Sequence, residues 1–228
     1  MESRAETPGR RRIHAKAVSI AVATGAYALS FGAISVSTGL DVWQTQALSL
    51  LMFTGASQFA FVGIVGAGGG LVAAVLTALL LGARNSMYAV SLSPILKATG
   101  PRRILAAQGT IDESTAMALS HPEPAADSRY AFWITGAWIY VLWNAGTLIG
   151  ALSANAIGDP SALGLDAATA AALLALLWPR LVNRRLWAVA LAATGVAVAL
   201  TPVLQPGLPV LAAAVVALLA GLIGGGRR

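Results

Sequence analysis

The stretch GASQFAFVGIVGAGGG, residues 55–70, lies inside an uncharged segment that covers residues 42–83. Apolar side chains fill most of it, but it also carries two adjacent polar residues, Ser57 and Gln58, and six glycines. Polar groups in lipid cost free energy unless the protein supplies partners, and glycines let a helix break or a neighbouring backbone come close. We therefore expect a broken helix near Gly66 and Gly70, with Ser57 and Gln58 beside a substrate cavity. The alternative is that these two polar residues only form hydrogen bonds that hold neighbouring helices together.

The composition places the whole chain in a membrane. Hydrophobic residues make up 57% of its 228 residues, charged residues only 11%, and the mean hydropathy is +0.74, whereas soluble domains carry roughly 25% charged residues. Further uncharged runs cover residues 17–40, 130–158 and 186–226, each long enough to cross the bilayer. Neither a signal peptide, a soluble core helix nor the alternating segments of a β-barrel account for this pattern. The sequence predicts an all-α polytopic membrane protein.

Breaks at glycine, proline and charged residues divide the chain into about seven transmembrane helices. The expected spans are 17–38, 44–66, 71–95, 130–152, 166–179, 186–202 and 208–224. The segment 103–119 is undecided, because it is mostly apolar but places Gln108, Asp112 and Thr115 on one helical face. It is either an eighth crossing or an interfacial helix.

The basic residues predict topology rather than nucleic-acid binding. The net charge is +6, and the basic side chains cluster at segment ends. The positive-inside rule makes residues 1–16 a basic cytoplasmic tail, followed by a single transmembrane domain at 17–226. Eight crossings satisfy the rule except at Lys97, Arg102 and Arg103. The chain has no cysteine and two histidines, and we expect neither a cofactor nor a metal.

A self-comparison suggests an internal repeat. Residues 31–55 and 149–179 share a Gly-Ala-apolar-Ser motif, then Gly-Leu-Asp, then an Ala- and Leu-rich segment, with Asp41 and Asp166 in matching positions. Seven spans make such a repeat inverted, as in many transporters that bind substrate at the interface of two halves. Eight spans make it parallel, so the repeat and the charge pattern favour different topologies.

Charged and polar residues inside apolar segments are the candidate transport path. Arg84 lies deep in its expected span, so it requires a carboxylate, a polar cavity or an anionic ligand unless it reaches the interface by snorkelling. Asp112 and Glu113 are the acidic residues nearest to Arg84 in sequence. The alternative is that both belong to a solvated charged loop and have no role in transport. Asp112 is the expected partner of Arg84. The other candidate residues are Gly55, Ser57, Gln58, Asn85 and Asn144.

The segments GASQFAFVGIVGAGG, ARNSMYAVSLSPILK, TIDES, YVLWNAGTLIGAL and LGLDAATAAALLALLWPRL resemble, in order and spacing, those of the AzlC family. The resemblance covers residues 15–224. Members are large subunits of two-component branched-chain amino acid exporters, with about seven spans, in the bacterial inner membrane. The resemblance implies a small AzlD-type membrane subunit as partner and the export of leucine, isoleucine and valine, with methionine in some members.

This chain departs from the family pattern at two points. The family usually reads Asn-x-Arg-His where this chain has Gly82, Ala83, Arg84 and Asn85, and it has a threonine where this chain has Ile111. Arg84 is kept while the polar residues flanking it are changed. These departures bear on substrate range.

Other function classes fit the residues less well. The chain has no Walker A motif, so a gradient rather than ATP would drive transport. An intramembrane serine protease lacks support because Ser57 stands in Gly-Ala-Ser-Gln and neither histidine lies in a convincing span. We therefore expect a secondary transporter subunit and no enzyme. A scaffold or channel subunit of a membrane complex is the alternative.

Overall fold

The computed structural model describes residues 8–157 and 181–225, together with Leu174, Leu177 and Trp178. Within these residues the protein is helical and contains no strand, which confirms the predicted all-α class. The described helices, in chain order, are α1 (Pro8–Ser37), α2 (Val42–Leu51), α3 (Ala56–Gly66), α4 (Leu71–Leu96), α5 (Pro101–Gln108), α6 (Asp112–Leu119), α7 (Ala125–Ile157), α8 (Arg184–Leu200) and α9 (Leu208–Gly225).

Three of the described helices, α1, α4 and α7, are long and apolar enough to cross a membrane. They coincide with the expected spans at 17–38, 71–95 and 130–152. Helices α8 and α9 match two further expected spans, and the segment 166–179 lies outside the described residues except for Leu174, Leu177 and Trp178. The predicted count of seven or eight crossings is not confirmed. Helix α1 begins at Pro8, so residues 8–16, expected as a tail, form its first turns.

Helices α1 and α7 lie side by side and run parallel. At their starts, Arg10 Nε contacts Asp127 Oδ1 at 3.0 Å. Further along both helices, a Cβ atom added at Gly32 would collide with the carbonyl oxygen of Thr147. Because residue numbers rise together along both helices, the starts of α1 and α7 lie at the same face of the membrane domain.

Small residues permit this close approach. Gly146 and Gly150 form a GxxxG pair on α7, and a Cβ at either position would meet the backbone of α1 at Gly25 or Leu29. Such pairs let helix backbones come into contact in lipid, where apolar burial gives little driving force. The two glycines therefore pack α7 against α1 within the chain and are not open to a helix of a partner subunit.

The expected single span at 44–66 is wrong: the segment forms a hairpin of two short helices, α2 and α3. Phe59 of α3 stacks on Tyr27 near the middle of α1, with ring centroids 4.8 Å apart, and Gly66 packs on Thr38, just past the end of α1. Helix α3 therefore returns to the face at which α2 begins. We call α2–α3 the far-side hairpin.

The second short pair, α5 and α6, enters from the opposite face. Helix α4 ends beside the start of α7, where Arg129 Nη1 donates to the carbonyl oxygen of Ile95 at 3.3 Å. Helix α6 returns to the same place, since Ser128 Oγ donates to the carbonyl oxygen of Ala118 at 2.7 Å. The segment 103–119 is therefore neither a single crossing nor one continuous interfacial helix. We call α5–α6 the basic-side hairpin.

This arrangement removes the exception in the charge pattern. Since α4 is the one crossing between α1 and α7 and neither hairpin crosses, the end of α4 lies at the face that carries the start of α1. Lys97, Arg102 and Arg103 therefore share that face with Arg10 and Arg129, and we call it the basic face.

The structure contains two units of similar plan and opposite orientation, but they are not the two segments of the predicted repeat. Helix α1 with the far-side hairpin and helix α4 with the basic-side hairpin have the same plan in opposite orientations. The predicted repeat instead aligned residues at the ends of α1 and α7, and these helices are parallel. An inverted relation between those two segments is therefore wrong, and much of the second segment lies outside the described residues.

Helices α8 and α9 form a C-terminal hairpin that closes one side of a groove. At its turn, a Cβ atom added at Gly207 would lie 2.9 Å from the Cγ2 atom of Ile64 in α3 and 3.0 Å from the Cβ atom of Ala73 in α4. A side chain there would displace these neighbours, and Gly207 also has a φ of +95°. The glycine lets the turn seat against α3 and α4, opposite the basic face.

Candidate functional site

The tips of the two hairpins meet at the centre of the domain. The far-side tip covers residues 52–55 and the basic-side tip residues 109–111. The carbonyl oxygen of Leu50 accepts a hydrogen bond from Gln108 Nε2 at 2.8 Å and a second from Tyr140 Oη at 3.3 Å. These bonds satisfy a backbone carbonyl at the end of α2, to which lipid could donate no hydrogen bond. They also join the two hairpins to each other and to α7.

Gln58 is a structural link inside the far-side hairpin. Its Oε1 accepts from the backbone N–H of Gly55 at 3.1 Å, and its Nε2 donates to the carbonyl oxygen of Leu48 at 3.0 Å. Gly55, at φ +58° and ψ −86°, turns the chain into α3. The amide is fully buried and has a partner at each end, so it ties together the helices that the tip interrupts. Its contact with substrate stays a prediction.

Ser57 lies where α3 meets α4. A Cβ atom at Gly82 would lie 3.5 Å from Ser57 Oγ, so the glycine leaves room for the hydroxyl. The hydroxyl is buried and makes no hydrogen bond to any described residue. It is therefore a polar group at the helix interface whose role the chain's own contacts do not explain.

Arg84 and Asp112 form the expected ion pair. Arg84 Nη1 lies 2.8 Å from Asp112 Oδ2, and their side chains are 26% and 20% exposed. Arg84 comes from the middle of α4 and Asp112 from the first turn of α6, where N–H groups favour a negative charge. Glu113 follows in the same turn and is partly buried. Snorkelling and a solvated loop are therefore both wrong, since the pair joins α4 to the basic-side hairpin within the domain.

Polar atoms beside this pair lack partners in the described part of the chain. Arg84 Nε and Asn85 Oδ1 are both buried and without a hydrogen bond there, and so are the hydroxyls of Thr77 and Thr115. Buried polar groups are normally satisfied, so a cluster of unsatisfied ones marks a place for water or a polar ligand. Asn85 follows Arg84 in α4, and Thr115 lies one turn after Asp112 in α6, so these atoms flank the ion pair that joins α4 to α6.

A cavity of about 580 Å³ extends from Arg84 toward the face opposite the basic face. One apolar stripe of α3 forms a wall, the turn of the C-terminal hairpin forms another, and Leu177 also contributes. The α3 residues that line it are Ala56, Phe59, Ala60, Gly63 and Ile64. From α4 come Thr77, Leu81 and Arg84, so this apolar space has a guanidinium at one end.

Asn144 belongs to a different contact. Its Nδ2 donates to the carbonyl oxygen of Tyr140 at 2.8 Å, and its Oδ1 accepts from Gln46 Nε2 at 3.3 Å. The residue therefore holds α2 against α7, away from the cavity lining. Of the predicted residues, the structure brings Arg84, Asn85, Asp112 and Glu113 together, whereas Gly55, Gln58 and Asn144 support the far-side hairpin.

Sequence reasoning missed Thr77 and the C-terminal hairpin as parts of the site. Thr77 precedes Arg84 by two helical turns and so shares its face, a spacing that was visible in the sequence. Pro206 and Gly207 are far from Arg84 in sequence, and only the tertiary packing brings their turn to the cavity. Within the described residues, no group of three or more His, Asp or Glu side chains is placed to hold a metal.

Comparison with known proteins places this arrangement in a family. The family model described as AzlC protein matches residues 19–157, which hold both hairpins and the Arg84–Asp112 pair. The chain belongs to the AzlC family. An uncharacterized membrane protein of Helicobacter pylori (strain ATCC 700392 / 26695) is 28% identical over 125 residues, 54% of this chain and 55% of that protein. The chain thus spans about half the length of this curated relative. No solved structure matches.

Proposed function

We propose that this AzlC-family membrane protein is the permease subunit of an exporter for leucine, isoleucine and valine, with methionine as a related substrate. A gradient would drive it, a small AzlD-type membrane subunit would be its partner, and the basic face would be cytoplasmic in a bacterial inner membrane. The observation that carries the proposal is the apolar cavity of about 580 Å³ with Arg84 at its end.

The cavity complements both parts of an aliphatic amino acid. The planar guanidinium of Arg84 suits a carboxylate, with which it can form two parallel hydrogen bonds. Its Nη1 contacts Asp112 while its Nε makes no bond to a described residue, so one edge remains for a ligand. The apolar wall of α3 then suits an aliphatic side chain, because small pockets take most of their affinity from apolar burial.

Asp112 suits the other charge of the substrate. An amino acid is a zwitterion, and the ion pair presents one charge of each sign. A bound zwitterion exchanges one ion pair for two, so neither protein charge is left without a partner. This exchange also supports a transporter over a scaffold or channel subunit, which has no need of a charged pair at the end of an apolar cavity.

The test is counterflow of labelled leucine in proteoliposomes, with the purified chain alone and together with a candidate small subunit. We expect counterflow with both subunits and little with the chain alone. Arg84→Gln should lower it at least about tenfold, since it removes a charge-assisted contact of about 1.5–3 kcal/mol. Arg102→Gln, at the basic face, is the matched control and should stay near the parent rate. Equal rates for the two variants would contradict the proposal.

A further inference from the structure

Helix α5 of the basic-side hairpin has open space on two sides. A cavity of about 290 Å³ separates α5 from α4, beside Leu92 and Ala106. Another of about 280 Å³ separates α5 from α7, beside Leu105 and Phe132. Protein interiors normally leave few voids larger than a water molecule, so spaces on both sides of one short helix leave it room to shift.

The tip of this hairpin is tied together internally. Ser114 Oγ donates to the carbonyl oxygen of Gly109 at 2.6 Å and accepts from the N–H of Ile111 at 3.2 Å. Thr110 Oγ1 donates to the carbonyl oxygen of Ala106 at 2.7 Å. These bonds link the end of α5 to the start of α6, so the two short helices can move as one body.

Polar contacts on both sides of the tip hold it to the rest of the domain. They include the Arg84–Asp112 pair at 2.8 Å and the bond from Gln108 to Leu50 at 2.8 Å. The far-side hairpin is held differently, because its Phe59 sits in a buried aromatic cluster with Tyr27, Phe31 and Trp143.

Backbone conformations at the base of the basic-side hairpin provide a place to bend. Lys97 ends α4 at φ +47° and Gly100 precedes α5 at φ +54°, so two residues in left-handed conformations separate the helices. Such conformations mark short segments that can absorb a change of direction between rigid elements. At the tip, Gly136 of α7 lies close to Gly109, and no side chain stands between them.

We propose that the basic-side hairpin is the gate between the Arg84 site and the basic face, and that breaking the Arg84–Asp112 pair releases it. The identity of the trigger rests on the proposed function: a substrate that places its carboxylate on Arg84 and its ammonium on Asp112 separates the two side chains. The hairpin then loses this direct tie to α4 and swings on the segment between Lys97 and Gly100. Substrate binding and opening toward the basic face become one event.

The first test follows opening without transport. The chain has no cysteine, so Thr110→Cys places a single thiol in the buried tip. Adding Asp112→Asn should speed its alkylation by a small maleimide by about tenfold or more, since a broken polar contact shifts a local opening equilibrium by at least that factor. Thr45→Cys, buried in the far-side hairpin, is the matched control and should react equally slowly in both backgrounds.

Leucine added to the Thr110→Cys protein separates the two proposals. Faster alkylation with leucine supports the trigger as well as the gate. Faster alkylation with Asp112→Asn but no response to leucine would keep the gate and count against the proposed substrate. Equal alkylation with and without Asp112→Asn would overturn the gate.

The second test locks each hairpin in turn. A Cβ at Gly136 would lie 3.9 Å from that of Ser114, within the range of disulfides, so Ser114→Cys/Gly136→Cys should link α6 to α7 on oxidation. In the far-side hairpin, Ser49 Oγ lies 3.2 Å from Thr147 Oγ1, and Ser49→Cys/Thr147→Cys is the control. Oxidation should stop leucine counterflow by the first variant and leave counterflow by the second variant unchanged. Reduction should restore counterflow by the first variant. Full counterflow with the first pair oxidised would refute the gate.

Discussion

Arg10 and Asp127 are 117 residues apart in sequence and form an ion pair at 3.0 Å. Arg10 also lies over the ring of Tyr130, with 5.2 Å between its Cζ atom and the ring centroid. Because Arg10 and Asp127 belong to the first turns of α1 and α7, these contacts place both helix starts at one face. A chain with two re-entrant hairpins and a single crossing between α1 and α7 satisfies this relation.

The topology is directly testable with single cysteines. Arg12→Cys and Arg102→Cys should react with an impermeant thiol reagent from one side of the membrane, and Val203→Cys from the other. All three side chains are exposed, so burial does not limit the reaction. Labelling of Arg12→Cys and Arg102→Cys from opposite sides would restore a continuous crossing at 44–66 and remove the far-side hairpin.

Gln58→Ala should destabilise the protein by about 1–3 kcal/mol, because it leaves the carbonyl of Leu48 and the N–H of Gly55 unsatisfied in a buried place. Gln44 is a matched control. Its Oε1 accepts from the N–H of Asp41 at 3.0 Å in the same capping geometry, but at an exposed helix start where water can replace it. Unfolding in mixed detergent micelles measures both, and an equal loss for Gln44→Ala would show that burial does not decide the effect.

The Arg84–Asp112 pair should show strong coupling in stability. Arg84→Gln or Asp112→Asn alone leaves one charge in the membrane domain, and each should cost about 2 kcal/mol, below the figure for fully buried pairs because both side chains keep some exposure. The double variant should cost less than the sum. A double-mutant cycle in micelles gives the coupling energy, and simple additivity would mean that the pair contributes nothing.

Gly150→Ala should weaken the packing of α1 on α7. The new methyl group would collide with the carbonyl of Leu29, and overpacking of this kind costs about 1–3 kcal/mol. Gly195→Ala in α8 is the control, since nothing lies within 4 Å of its added Cβ. The measurement is the midpoint of thermal unfolding in detergent. A similar midpoint for both variants would show that α1 and α7 are not in this close contact.

Ala60→Leu should narrow the cavity and select against the larger substrates. Ala60 lines the apolar wall on α3, and added methylenes there compete with an aliphatic side chain. Misfit of a methylene group costs about 1–3 kcal/mol, so leucine counterflow should fall by about tenfold or more, with alanine less affected. Ala192→Leu, exposed on α8, is the control. Equal losses for leucine and alanine would place the aliphatic side chain elsewhere.

The sequence was sufficient to predict the long helices and the central ion pair. A long uncharged run forms few structures other than a membrane helix. Arg84 inside such a run requires an acidic partner, and Asp112 was the nearest candidate in sequence. The physical reason in both cases is local: the cost of a charge or an open backbone group in lipid depends little on the rest of the fold.

The hairpins were not predictable in the same way. Two short apolar helices joined at Gly55 have the same composition as one continuous span, so hydropathy alone does not separate a crossing from a return. The decisive bonds, Gln58 to Leu48 and Gln108 to Leu50, depend on which segments meet in space. Gly146 and Gly150 likewise marked a helix contact, but not that α1 was the partner.

The short helices of the hairpins have an electrical consequence. With 10 and 11 residues in the far-side hairpin and eight in each helix of the other, each hairpin reaches only about half of the roughly 30 Å hydrocarbon thickness. Once water enters from either side, most of the transmembrane voltage falls across the narrow zone of the two tips. Moving a full charge through that zone changes its electrical free energy by about 2.3 kcal/mol per 100 mV. A zwitterion has no net charge, so its electrical free energy changes very little. A proton that passes the zone while the amino acid is electrically silent would therefore connect export directly to the membrane voltage.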